Sequence, residues 1–480
     1  MPAAGKAAIR GGGPARPARV GPMNDTRRRP LQSLRRPLRA ALLLFVLLAG
    51  PGAGAAAQAP AEHWLFVHAG SLLDRPGQAP RKQATVVIRG ERVVAVRDGY
   101  LEPAAYEGAP ADAAVLDLRE RFVMPGLIDC HVHLDSDLGG VEGALAAVTQ
   151  SVAASAYEAA VNARKTLAAG FTTVRNLGDA DGVTLALRDA IAAGKLPGPR
   201  ILDAGTSISA TAGHMDPTLG YREELHESLD RHANLCDGAD DCRRAVRRQV
   251  ARGVDLIKIA TTGGVNSRIG AGLGAQLFQD EANALVETAH LYGKKIAVHA
   301  HGNDGILIAL RAGADSIEHG TLMDEASIAL MLEHGTYYVP TLSTVNGYLE
   351  RIAADPDAYT PAVRAKIDWR IGITGQALRK AHARGVKIAF GTDAGVSKHG
   401  RNADEFELMQ KYGMSPMETL VAATVNAADL LGIAAEAGTL EPGKRADLIG
   451  VAGDPLQDLT VLKRPPVVVQ AGRLQSSPAP

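Results

Sequence analysis

The sequence predicts an α/β protein, a (β/α)8 TIM barrel with a small β-sandwich built from both ends of the chain. Three observations lead there. Between residues 126 and 432, short β-rich runs alternate with Ala-, Leu- and Glu-rich helical stretches. The regions flanking that alternation are also β-rich, and each is too short to bury a core alone. The histidines, a lysine and an aspartate suited to chemistry fall within or at the C-terminal ends of the β-rich runs, where a barrel gathers its active site.

Eight strands are expected, at Gly126–Val132, Thr172–Leu177, Arg200–Ala204, Leu256–Ala260, Ile296–Ala300, Ser316–His319, Tyr337–Thr341 and Ile388–Thr392. Helical stretches such as Asp280–Tyr292 and Pro361–Arg384 lie between them. A doubly wound open sheet is the competing fold. It usually has fewer strands and carries a glycine-rich first turn, which this chain lacks. On the flanks, Trp64–His68, Ala84–Ile88, Val93–Val96, Asp447–Val451 and Val467–Ala471 read as strands. The expected organisation is a composite sandwich of residues 58–125 and 433–474, a barrel over 126–432 and a disordered tail at 475–480. Ser415-Pro416-Met417-Glu418 forms a capping box with proline at the first helical position, predicting a helix through Thr419–Leu431.

The chain has 480 residues, with 52 basic and 52 acidic side chains. With 46% hydrophobic and 22% charged residues, global disorder is excluded. The neutrality hides a split, because residues 1–57 carry ten Lys/Arg and one acid, Asp25. The remainder is net acidic, which argues against a nucleic-acid-binding body. Arg27–Arg29, Arg35, Arg36 and Arg39 precede the apolar run Ala40–Ala49, and small residues end at Ala55-Ala56-Ala57. That pattern reads as a secretory signal peptide over residues 1–57, so export to the periplasm or medium is expected. The apolar run is about half the roughly 20 residues that span a bilayer, so no membrane attachment is expected after cleavage. Cys236 and Cys242 flank a polar loop and read as a small disulfide staple in an oxidising compartment, with two free thiols as the alternative. Cys130 reads as a small buried side chain.

The chemistry lies in one constellation. His131 and His133 stand two apart at the end of the first strand and so share a face. His299 and His301 repeat the spacing on the fifth. His319 ends the sixth, Asp393 ends the eighth, and Lys258 lies in the fourth. Singly, each has a plain alternative: a half-exposed strand, a snorkelling lysine, a loop cap, a hydrogen-bonded core histidine. Together they converge on one mouth and predict a metal site.

With those residues in place, the sequence resembles the amidohydrolase superfamily. The match lies in His131-x-His133, Lys258, His299, His319 and Asp393, and in the return stretch Gly438–Leu448, and it covers nearly all of the mature chain. The resemblance implies a binuclear site. His131 and His133 would hold one metal with Asp393, and His299 and His319 would hold the other. Lys258, carboxylated by carbon dioxide, would bridge them. Such a carboxylate makes physical sense, since an ammonium beside two divalent cations would be repelled. Imidazole and carboxylate donors suit zinc. Two metals about 3.5–4 Å apart share a hydroxide that attacks a carbonyl. Asp393 would move the proton from that hydroxide to the leaving amine. His301 would hydrogen-bond the carbonyl or oxyanion, with a purely structural histidine as the alternative.

Ala260–Ser267 and His299-Ala300-His301-Gly302 resemble the imidazolonepropionase-like branch, which includes Xaa-Pro dipeptidases, related carboxypeptidases and ochratoxin-hydrolysing amidohydrolases. That implies cleavage of an amide whose nitrogen belongs to a C-terminal amino acid, in a dipeptide, an N-acyl amino acid or an ochratoxin A-like amide. Ser136, His214, Tyr221, Arg222, Asn266 and Arg268 are candidate substrate contacts, and arginine would suit a carboxylate. The expected partners are such a small molecule and further copies of the chain in a homo-oligomer. A lactonase or phosphotriesterase on the same site is the alternative, followed by a non-catalytic binding protein.

Overall fold

The computed structural model describes residues 63–179, 181–230, 234–268 and 272–475. The leader expected over residues 1–57 lies outside the described residues, as does all of the expected tail after Gln475. Four strands open the described chain: β1 (Trp64–Leu72), β2 (Arg81–Arg89), β3 (Arg92–Asp98) and β4 (Ala114–Pro125). The barrel follows with β5 (Leu127–Val132), β6 (Phe171–Asn176), β7 (Arg200–Asp203), β8 (Ile257–Ala260), β9 (Ile296–Ala300), β10 (Ser316–His319) and β11 (Tyr337–Val339). The chain returns through β12 (Leu448–Val451), β13 (Val467–Gln470) and β14 (Arg473–Leu474).

The barrel strands run parallel, β5 to β7 in one set and β8 to β11 in another. Two seams close the ring. At the first, Ile208 pairs with Ile259, donating its N–H to Lys258 O at 2.9 Å and accepting from Ala260 N at 3.0 Å. At the second, the stretch predicted as the eighth strand joins β11 to β5 through single bridges. Tyr338 N donates to Lys387 O at 2.8 Å, Cys130 N to Phe390 O at 2.9 Å and His133 N to Ala394 O at 2.7 Å. This side is irregular because the chain must turn its carboxylate inward at Asp393, whose φ is 56°. Gly391 is required here, since a Cβ would sit 2.4 Å from Val339 Cγ1. Every residue of β5, β6, β8, β9, β10 and β11 is buried, as expected of a parallel sheet covered by helices.

Two helical expectations change in detail. The stretch Pro361–Arg384 is two helices, Pro361–Ile373 and Gln376–Ala383, broken where Gly375 takes a φ of 78°. The helix opened by the Ser415 capping box ends its α-turns at Val421 and passes through a π-turn at Ala422–Asn426 before Ala427–Leu430. Phe390 N of the eighth stretch donates to Ala422 O at 3.0 Å, so the π-turn coincides with a carbonyl that the barrel uses.

The two chain ends meet in one mixed seven-stranded sheet, ordered β14-β13-β12-β4-β1-β2-β3. One apolar cluster takes Val67, Val86, Val93, Leu118, Leu448 and Val469 from six of these strands, which is the small β domain's own core. The sequence reading omitted β4, the long strand between the two ends. Gly126 N, at the start of the barrel, donates to Asp447 O at 2.9 Å and so joins the sheet to the first barrel strand. Cys236 and Cys242 are joined as a disulfide across the loop that leads into the helix Ala239–Ala251, while Cys130 is free and buried.

Candidate active site

The strands bring His131, His133, Lys258, His299, His301, His319 and Asp393 to one cavity of about 220 Å³. All but His133 are buried. Their rings form a contiguous patch, with centroids 5.1 Å apart for His131 and His319, 4.6 Å for His299 and His319, and 4.9 Å for the stacked pair His301 and His319. Two sets of donor atoms lie close enough to hold an ion: His299, His301 and His319, and His131, His319 and Asp393. His133 Nε2 adjoins the second set, 3.4 Å from Asp393 Oδ1.

Local hydrogen bonds decide which ring nitrogen faces the cavity. His133 Nδ1 donates to Gly178 O at 3.1 Å, and His131 Nδ1 to Glu318 Oε2 at 2.8 Å. Thr341 Oγ1 donates to Pro340 O at 2.8 Å, so at 2.7 Å from His319 Nδ1 it accepts. Each of these imidazoles therefore keeps its proton on Nδ1 and leaves Nε2 bare. His299 Nε2 is buried without any hydrogen-bond partner. Burial, then the charge on Lys258, lowers His133 to about 4 and holds His131 well below its ordinary value. Burial is also the main reason that His299, His301 and His319 stay neutral. Neutral imidazoles with free lone pairs are the form that binds metal.

Lys258 and Asp393 are drawn toward their uncharged forms. Burial lowers the Lys258 ammonium against the pull of Glu318 and Asp393, and burial raises the Asp393 carboxyl against the pull of Lys258. Lys258 Nζ lies 3.5 Å from His131 Nε2. The backbone is strained at the same place: His319, Thr341 and Asp393, at the ends of three successive strands, have φ of 67°, 48° and 56°. Non-glycine residues held in that region cluster at functional sites.

The sequence reading missed the supports behind these groups. Glu318 also accepts from Arg175 Nη2 at 2.7 Å. Burial works to raise its carboxyl, but Arg175 and His131 outweigh that and bring it to about 2. Asp129 accepts from His131 N at 3.0 Å, Thr392 Oγ1 at 2.6 Å and Asn402 Nδ2 at 2.8 Å, tying the first strand to the eighth stretch. Asp129 lies two residues before His131 and so shares its strand face, a signal that alternation could have supplied, whereas Glu318, next to His319, carries no such signal.

The candidate substrate contacts separate. His214 lines the cavity, with its ring 4.1 Å from that of His299 and Nδ1 2.7 Å from Ser267 Oγ. Burial lowers it to about 3. Asn266 lines both the cavity and an adjoining outer chamber of about 490 Å³, which Ser136 and Arg268 also line. Arg268 donates to Tyr221 Oη at 2.6 Å and stacks on that ring at 4.0 Å. Arg222 is not brought to the cavity. Its side chain is 77% exposed and faces Glu224 at 3.7 Å, because it precedes the surface turn Glu223–Leu225. Among the cavity residues not expected from the sequence are two with polar side chains on helices over the mouth: Arg370, on the helix Pro361–Ile373, and Tyr348, on the helix Thr344–Ala354.

Comparison with known proteins decides the family, since the amidohydrolase family matches residues 122–472. The chain belongs to the amidohydrolase family. This amidohydrolase is 30% identical to ochratoxinase of Aspergillus niger over 444 residues, covering 86% of this chain and 87% of that protein. It is similar to a solved Xaa-Pro dipeptidase with methionine bound in its active site, at 40% identity and a TM-score of 0.80, covering 86% of this chain and 99% of the other. A solved prolidase complexed with N-methylphosphonate-L-proline is 30% identical with a TM-score of 0.76, again over 86% and 99%. The barrel with its small β domain is thus shared with these hydrolases. The family is generally metal-dependent, and the bare buried nitrogen of His299 together with the neutral histidines fits that requirement.

Proposed function

We propose that this amidohydrolase cleaves the amide bond to a C-terminal amino acid, in a dipeptide, an N-acyl amino acid or an ochratoxin A-like amide, at a site for two divalent metals. The observation that carries the reading is the set of histidines with bare Nε2 atoms gathered around Lys258 and Asp393 in one cavity. His131, His133 and Asp393 would hold one ion, and His299 and His319 the other. Lys258, as a carboxylate formed with carbon dioxide, would bridge the two. Zinc suits these donors. When bound, such ions polarise a carbonyl and lower the pKa of water.

The chain's own residues do the rest. Asp393 takes the proton of the attacking water on a carboxylate oxygen and delivers it to the leaving nitrogen, as base and then acid. His301 offers a ring nitrogen toward the substrate carbonyl, while its Nδ1 is 2.7 Å from Thr321 Oγ1, which fixes the ring. Glu318 and Thr341 hold His131 and His319 in the required tautomer. The outer chamber, lined by Leu138, Val141, Tyr359 and Val363, gives an apolar acyl group room. The basic leader and its small-residue end support export, and the protein is proposed to act as a homo-oligomer.

The test is a screen of dipeptides and N-acyl amino acids on the metal-replete protein, with released amino acid identified by mass and bound metal measured alongside. Release of a C-terminal amino acid with close to two metals per chain is expected. Hydrolysis confined to lactones or phosphotriesters, or fewer than one metal per chain, would overturn the reading.

A further inference from the structure

Arg370 is buried in the wall of the cavity, yet it has no carboxylate partner among the described residues. Its Nη1 donates to Thr374 Oγ1 at 3.0 Å. A guanidinium carries five N–H donors, so most of its donor capacity is open. By contrast Arg175, also deeply buried among the described residues, is matched by Glu318 at 2.7 Å. Burying an unmatched cation is costly, and the cost is recovered when an anion arrives.

The rest of the wall sharpens the question. Among the described residues, Asp393 is the only carboxylate that lines the cavity, against Lys258 and Arg370. Divalent metals would make it more positive still. A guanidinium fork beside such a site selects a planar anion that can accept two parallel hydrogen bonds. Four residues earlier on the same helix face, Lys366 Nζ donates to Gly264 O at 3.0 Å and Ser267 O at 2.6 Å, pinning the loop that carries Asn266. The helix Pro361–Ile373 thus holds one rim of the cavity and aims a cation into it.

We propose that Arg370 binds the free α-carboxylate of the amino acid that leaves, and so makes the enzyme specific for amides at a carboxyl terminus. The inference rests on the function proposed above and names the residue that enforces it. Arg222, exposed and facing Glu224, and Arg268, stacked on Tyr221, do not line this cavity.

The experiment compares wild type with Arg370→Met, both metal-loaded. Equilibrium binding of L-methionine and of L-methioninamide is measured by titration calorimetry, and KM and kcat are measured for N-acetyl-L-methionine. Wild type should bind the acid at least tenfold more tightly than the amide. Arg370→Met should lose roughly 10- to 100-fold in affinity for the acid, the range expected for hydrogen bonds to a charged group. The amide should be unaffected, metal content unchanged, and KM should rise more than kcat falls. An unaltered preference in the variant, or no preference in wild type, overturns the proposal. If Arg370→Met does not fold, Arg370→Lys is read in its place, since it keeps the charge but loses the fork; a preference equal to wild type would then overturn it. Wild type that binds the acid through Arg370 but hydrolyses no dipeptide or N-acyl amino acid would sink the proposed reaction and leave this carboxylate site standing.

Discussion

Glu318 Oε2 stands 2.8 Å from His131 Nδ1, while its other oxygen accepts from Arg175 at 2.7 Å. One buried carboxylate therefore sets the tautomer of a cavity histidine and matches a buried arginine. Glu318→Gln keeps the shape but removes the charge. It should weaken metal binding by roughly 10- to 100-fold, as for other groups that orient a ligand histidine. It should also destabilise the fold by about 3–5 kcal/mol, because Arg175 loses its counter-charge. Metal titration and urea unfolding check the two effects. A variant with wild-type metal affinity would show that His131 does not need this support.

Lys258→Ala removes the side chain proposed to bridge the two ions as a carboxylate. Metal and activity should be lost together, with partial recovery on adding a short carboxylic acid. Activity equal to wild type without any additive would rule out the bridge.

Asp393 and His301 separate proton transfer from metal holding. Asp393→Asn should cut turnover by roughly 10²–10⁴-fold, with less metal lost than in His131→Ala. His301→Ala should keep its metal and lose about 10²–10³-fold in kcat with a smaller change in KM. His301 shares a donor cluster with His299 and His319. A loss of metal in His301→Ala would therefore make it a ligand instead.

Acid should destabilise the protein, and the sign follows from the histidines. His133 and His214 titrate at about 4 and about 3 when folded, against 6.5 when unfolded. As pH falls from 6.5 toward 4, the unfolded chain takes up protons that the folded chain refuses, so stability falls with pH across that window. His214→Gln removes one such proton. Its stability-versus-pH curve, measured on metal-free protein, should be shallower than wild type by about one proton's worth of slope. An unchanged slope would refute the assignment.

The three cysteines should divide cleanly. Cys236 and Cys242 are joined and Cys130 is fully buried, so the native protein should expose no thiol to an alkylating agent. Reduction under native conditions should release two. Modification of both Cys236 and Cys242 without reductant would contradict the link.

The sequence made the barrel legible because parallel strands buried on both faces read as continuous apolar runs, and the His-x-His pairs mark two of their ends. The strand β4 was not legible. Arg119, Glu120 and Arg121 interrupt its pattern and split its apolar residues into two short groups, Ala114–Leu118 with Asp117 among them and Phe122–Pro125. Arg370 was hidden for a different reason. It sits in Lys366-Ile367-Asp368-Trp369-Arg370, whose charges look like a solvated helix face, and only the packing of that helix over the mouth shows which charge turns inward. Glu318 was visible beside His319, but nothing in spacing alone says that it reaches His131 across the barrel.

The strand β4 lies between β1 and β12, with Met124 paired to Ile449. The order of synthesis therefore matters. A ribosome delivers β1 to β4 early, and the edge of β4 then has no neighbour until nearly the whole barrel has followed. Pairing over such sequence separation is slow, because loop closure must be completed before any contact rewards it. The final strands act as a latch, and a chain cut before Leu448 leaves an open hydrogen-bonding edge beside apolar Val123 and Met124, the kind of surface that recruits other chains into aggregates.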